Sequence, residues 1–192
     1  MRRIIVGFIL FILFLAQNCF AQGQGLTGRL LVKSNYFDVY ADDEIDPYQL
    51  LTKINYEYLL HGLQWKSLDK ETTFGGETIE LVLAQMLDGL YEEVADILDI
   101  HLANFHSTVV FFKDRVSLTD FLWQQYNLVL DQRSIYYHQD NIIYASFDQL
   151  NKGLLGRQIA SAILTQYLGV PAPSLIEDVL CSVVESTLLK SQ

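Results

Sequence analysis

"LLGRQIASAILTQYLGV", residues 154–170, decides how the chain is read. Leu154, Leu155, Ile159, Ala160, Ile163 and Leu164 are apolar enough for a core helix. Arg157, Ser161 and Thr165 recur every four residues with Gln158 beside them, so a polar stripe runs along one face. Gly169 and the prolines at 171 and 173 end the pattern, which predicts a helix over about 148–168. Ser174 and Glu177 then stand in capping-box positions for a second helix. The stripe has two readings: a solvated face, or the lining of a cleft.

Outward from this helix, SIYYHQDNIIYAS (134–146) sets two aromatic or β-branched runs either side of Gln139-Asp140-Asn141, a hairpin pattern. STVVFF (107–112) is short and bounded by polar residues, as a buried central strand should be. Ser117 and Asp120 sit in capping-box positions before Phe121, Leu122 and Trp123, which predicts a short helix there. Ile79, Leu83, Met86, Leu87, Leu90, Val94 and Ile97 share one face, with Glu80, Asp88, Glu92 and Glu93 off it, giving a long helix over about 77–98. Asp46-Pro47 opens an earlier helix carried by Leu51, Ile54, Tyr58 and Leu59 to about 62, and the polar stretch 64–76 ending in Gly75-Gly76 is a loop. RLLVKS and YFDVYA, broken at Ser34-Asn35, predict an antiparallel hairpin near 29–41. The order of elements indicates a single α+β domain whose small, mainly antiparallel sheet is packed by helices.

The first residues, MRRIIVGFILFILFLAQNCFA, join a basic start to a short apolar run and a polar tail ending in Ala21, the pattern of a secretory signal peptide. The run is short for a membrane span, so no stable span is expected after cleavage. Ala16-Gln17-Asn18 argues against lipid attachment at Cys19. This divides the chain into a signal peptide (1–21), a flexible leader (22–28) and one domain (29–192). Residues 1–21 hold two arginines and no acid, so the remainder is more acidic still than the formal −10 of the whole chain. Nucleic acid and anionic membrane surfaces are poor partners for it. Cys181 is then the only cysteine, and stability rests on packing rather than on a disulfide.

The succession of LDGLYEEVADILD, STVVFFKDR, a short helix, NIIYAS and a helix ending in YLGVPAP resembles the compact gluzincin-type zinc metallopeptidases, in the peptidase MA-like group, over roughly residues 29–190. In that family the helix after the edge strand carries His-Glu-x-x-His: two histidines four apart bind one Zn²⁺ and the Glu activates its water. The resemblance puts those three residues at Arg157, Gln158 and Ser161, and the acidic third ligand at or beside Glu185. A guanidinium has no lone pair for a metal, and Gln158 cannot take a proton from water. What the resemblance implies is a degenerate site with no metal, no cofactor and no catalysis. An Arg157–Glu185 pair is expected to tie together the two helices that the metal joins in active relatives.

Other candidates weigh less. His61, His101, His106 and His138 are scattered, Cys181 with Glu185 is better read as core packing, and Ser161 has neither a nucleophile elbow nor a nearby histidine. In the active relatives substrate lies along the edge strand. With 141–146 as that edge, Asn141, Ile143 and Ala145 would border the cleft and an extended peptide or exported protein would bind by strand addition. The expected function is thus that of an exported, catalytically inactive pseudopeptidase. The alternatives are a structural or assembly component of the cell envelope and a hydrolase with an unrecognised site.

Overall fold

STVVFF forms the middle of a five-stranded sheet. The computed structural model describes residues 28–54, 78–129 and 132–190. The strands are β1 (Arg29–Lys33), β2 (Phe37–Ala41), β3 (Ser107–Phe112), β4 (Ser134–Tyr137) and β5 (Ile142–Ser146), in the spatial order β1-β2-β3-β5-β4. The expected signal peptide, the leader, Cys19, His61, the continuation of the first helix beyond residue 54 and the loop at 64–76 lie outside the described residues.

Both predicted hairpins are present. β1 pairs with β2 and β4 with β5, each antiparallel. β2–β3 and β3–β5 run parallel, in the registers Val39↔Val109 and Val110↔Tyr144. The α+β expectation holds, but the sheet is mixed rather than mainly antiparallel. The physical reason is the helical excursions: a chain that leaves a strand and returns through helices can lay its next strand parallel, whereas a tight turn imposes an antiparallel pair.

Five helices surround the sheet among the described residues: α1 (Pro47–Ile54), α2 (Ile79–Leu98), α3 (Arg115–Tyr126), α4 (Lys152–Leu168) and α5 (Ser174–Lys190). α1, α2, α4 and α5 share the main core with one sheet face through Val39, Val109, Phe111, Ile143 and Ala145. On the opposite face α3 lays Leu118 and Leu122 against Val110, Phe112, Ile142 and Tyr144. Sidedness follows from the strand period of two, which sends alternate residues of β3 and β5 to opposite layers.

Local capping fixes where the helices start. Thr78 caps α2 by accepting from Leu81 N, and Asn151 caps α4 by accepting from Leu154 N at 2.8 Å. α3 starts earlier than the Ser117/Asp120 pattern predicts: Asp114 is its cap and accepts from both the backbone N–H and the hydroxyl of Ser117. These bonds hold the Asp114 carboxyl below the usual carboxylate range. Ser174 and Glu177 form no capping box either. Pro173 O accepts from the backbone N–H of Ile176 and Glu177, which leaves the Glu177 side chain free for a partner on another helix.

α4 is the buried centre, with eleven of its residues from Lys152 to Leu164 inside the protein. Its closeness to α5 depends on two glycines. A Cβ on Gly156 would stand 2.0 Å from Leu188 Cδ1, and one on Gly153 would stand 2.7 Å from Leu189 Cγ and 3.1 Å from the Glu185 carbonyl oxygen. At the same end of α4, Lys152 Nζ lies 2.8 Å from Glu93 on α2.

Candidate functional site

The polar stripe of α4 faces α5, not bulk water. Arg157 Nη2 donates to Asp178 Oδ1 at 3.0 Å, and Nη1 donates to Ser182 Oγ at 2.8 Å and to Glu185 Oε2 at 3.4 Å. The Arg157 side chain is 27% exposed, against 33% for Glu185 and 72% for Asp178, so the Glu185 contact is the more sheltered of the two ion pairs. One turn along, the hydroxyl of buried Ser161 donates to the Glu177 carboxylate. Gln158 points the other way and donates to Ser134 Oγ on β4 at 3.0 Å. Thr165 is half-buried at the end of the stripe.

These three residues therefore bridge α4 to α5 on one side and to the edge strand on the other. Between the three elements lies a pocket of about 530 Å³. β4 contributes Ser134, Ile135 and Tyr136 to its lining, α4 contributes Leu154, Arg157, Gln158 and Ser161, and α5 contributes Ser174, Glu177, Asp178, Cys181 and Glu185. The stripe is thus a pocket wall, and the reading of it as a solvated face is set aside.

β5 is not the edge of the sheet. It lies between β3 and β4, and all five of its residues, Ile143 and Ala145 included, are buried. The cleft edge expected at Asn141, Ile143 and Ala145 therefore moves to β4. A signal for this was present in the sequence: IIYAS shows no apolar–polar alternation, as a strand covered on both faces should not, whereas edge strands carry exposed positions. Asn141 works as a turn residue. It adopts the left-handed conformation (φ 56°), its Nδ2 donates to His106 O at 2.7 Å, and its Oδ1 accepts from Tyr136 OH and Gln166 Nε2.

The free side of β4 can be read from the ladder. Ser146 N donates to Arg133 O, which marks the 133–146 pair as hydrogen-bonded. Antiparallel pairs alternate between bonded and non-bonded. Ser134 and Tyr136, opposite Ala145 and Ile143, are consequently the residues whose N–H and C=O groups turn away from β5. Both residues also line the pocket.

Electrostatically the lining sets three carboxylates, Glu177, Asp178 and Glu185, against two guanidiniums, the engaged Arg157 and the exposed Arg133. Burial, with the Glu177 carboxylate next, pushes the Tyr136 phenol up to about 12. The Cys181 thiol also rises to about 12, mainly through burial and then through Glu177, so it stays protonated and packs as core. A zinc ion does not fit this donor set: Arg157, Gln158 and Ser161 present a guanidinium, an amide and a hydroxyl that already bridge to α5 and β4. Among the described residues no three His, Cys, Asp or Glu side chains gather as a metal site, and the pocket lining does not include His101, His106 or His138. No helix among them is long and apolar enough to cross a membrane.

Asp178, Ser182 and the Glu177 partner of Ser161 were not singled out as site residues by sequence reasoning. Their signal was the i, i+4 recurrence of polar residues along α5 (Ser174, Asp178, Ser182), opposite the stripe of α4. No family model, curated protein or solved structure matches the chain, so the reading of this pocket rests on its own residues.

Proposed function

We propose that the chain is an exported, catalytically inactive relative of the gluzincin-type peptidases that captures an extended segment of a peptide or exported protein by strand addition along β4. The observation that carries this reading is the coincidence of a strand edge that no described strand pairs and a cavity: the outward backbone groups belong to Ser134, which is buried, and to half-buried Tyr136, and those residues border the 530 Å³ pocket. The degenerate-peptidase part is supported by the position of Arg157, Gln158 and Ser161 on the helix beside an antiparallel edge strand, with Glu185 across from them. Main-chain hydrogen bonds to β4 supply sequence-tolerant affinity, and the pocket supplies side-chain preference.

The test is retention of short peptides from a random pool by the full chain and by Ser134→Pro. Proline at 134 removes an outward N–H, and with it the hydroxyl that Gln158 donates to, but no bond of the β4–β5 ladder, so the variant keeps its fold and loses peptide retention, and Ser134→Ala, which removes the hydroxyl alone, retains peptides. Equal retention by a folded Ser134→Pro variant sinks the strand-addition reading.

One observation favours the assembly alternative. The outer face of α5 carries Leu175, Ile176, Val179 and Val183, all exposed, while its carboxylates at 177, 178 and 185 line the pocket. Such an apolar face on a polar-lined helix is characteristic of contact surfaces. Sedimentation showing a monomer across the micromolar range removes that support.

A further inference from the structure

We infer that the pocket beside β4 selects an extended peptide carrying a Lys or Arg side chain, whose cationic head pairs with the carboxylate of Glu177. This rests on the strand-addition reading and specifies its ligand.

The geometry comes from the strand edge. Gln158 on α4 reaches the side chain of Ser134, so Ser134 and, two residues on, Tyr136 face the α4 side of the sheet. A peptide added alongside β4 sends every second side chain to that same face, and therefore over the pocket. There it meets four charged side chains from α4 and α5, with the exposed Arg133 next to β4 as a fifth. Arg157 engages Asp178 and Glu185. Glu177 is left: its hydrogen bond comes from the Ser161 hydroxyl, and among the described residues no Lys, Arg or His lies within ion-pair distance of it. A carboxylate has about four acceptor sites, so one hydroxyl neither saturates nor neutralises it.

The rest of the lining suits a long basic side chain better than the alternatives. Leu154 and Cys181 are buried apolar wall against which an aliphatic stem can lie, with its charged end at Glu177. An acidic side chain would meet three carboxylates, with only the exposed Arg133 as an uncommitted cation, and a purely apolar one would cover Glu177 without pairing it. At long range the formal charge of −10 steers cationic segments toward the chain and repels anionic ones.

The experiment uses the full chain and a pooled random nonapeptide library, with retained peptides sequenced by mass spectrometry. Lys and Arg are expected to be enriched ~10-fold at one position, the effect of one partly sheltered ion pair. Glu177→Gln preserves the acceptor for Ser161 and is expected to retain peptides with the enrichment reduced below ~2-fold, whereas Glu80→Gln, on exposed α2 surface, leaves it intact. A synthetic pair built on the best-retained sequence, Lys against norleucine, gives the same ~10-fold difference on the unaltered protein. Retained peptides without a basic preference, or a preference that survives Glu177→Gln, overturn cation selection while strand capture stands. Failure to retain any peptide overturns strand capture and this inference with it.

Discussion

Arg157 on α4 and Glu185 on α5 stand 3.4 Å apart, joining the two helices at the level where the family resemblance places the zinc ligands. Two further α5 side chains, Asp178 and Ser182, hold the same guanidinium. Charge-assisted bonds are stronger than neutral ones, but partial exposure screens them, so Arg157→Ala is expected to cost about 1–2 kcal/mol. At roughly 2–4 °C per kcal/mol for a domain of this size, thermal unfolding shows the loss. Glu185→Gln should cost more than Asp178→Asn, because Asp178 is 72% exposed and Glu185 33%. An unchanged melting temperature for Arg157→Ala removes the tie from the account.

The degenerate-site reading predicts that the lost chemistry can be partly restored. The triple variant Arg157→His, Gln158→Glu, Ser161→His puts two imidazoles four residues apart on the face that opposes Glu185. It should retain about one zinc per chain through gel filtration, measured by elemental analysis, and gain thermal stability on zinc addition. A folded triple variant that holds no zinc shows that this helix is not built to the family's ligand geometry.

Gly156 sits where α4 touches Leu188 of α5 and Val94 of α2. Alanine there gains about 1 kcal/mol of helix propensity, but its Cβ would overlap a fully buried leucine. The clash is expected to win by about 1–2 kcal/mol, since Leu188 has no solvent to retreat into. Adding Leu188→Ala should make the Gly156→Ala change harmless. Denaturant midpoints of the four proteins in this cycle measure the coupling, and additive effects would mean that the helices do not pack at this glycine.

What sequence reading recovered and missed follows one physical divide. β3, α2, α4 and both hairpins were legible because their signals are local: apolar period, β-branched runs, caps and turns. The Arg157–Glu185 contact was legible because a resemblance supplied the long-range pairing. Glu177 was misread because Ser174-x-x-Glu177 matches a local cap, and a tertiary partner, Ser161, took its side chain instead. Which strand of the 134–146 hairpin lies outside was misassigned because chain order says nothing about spatial order. The outcome turns on β5 pairing with β3, which no local pattern encodes.

Cys181 gives the last prediction, through the sign of its shift. Its thiol, which ionises near 9.0 in the unfolded chain, is pushed up to about 12 in the fold, because burial disfavours the thiolate. Above pH ~9 the unfolded chain sheds a proton that the folded chain keeps, so stability present below that pH declines as pH rises toward about 12. Tyr136 and Tyr144, raised from 10.0 to about 12, act with the same sign over the upper part of this window. Urea unfolding at stepped pH should therefore show a stability that falls from pH ~9 upward, and Cys181→Ala should delay the onset of that fall toward the tyrosine range. The same burial protects the thiol chemically: iodoacetamide at mildly alkaline pH should label Cys181 in urea and leave it unlabelled in the native chain. Rapid native labelling would show the thiol open to reagent in the fold and overturn the burial from which its raised pKa and the alkaline loss of stability are argued.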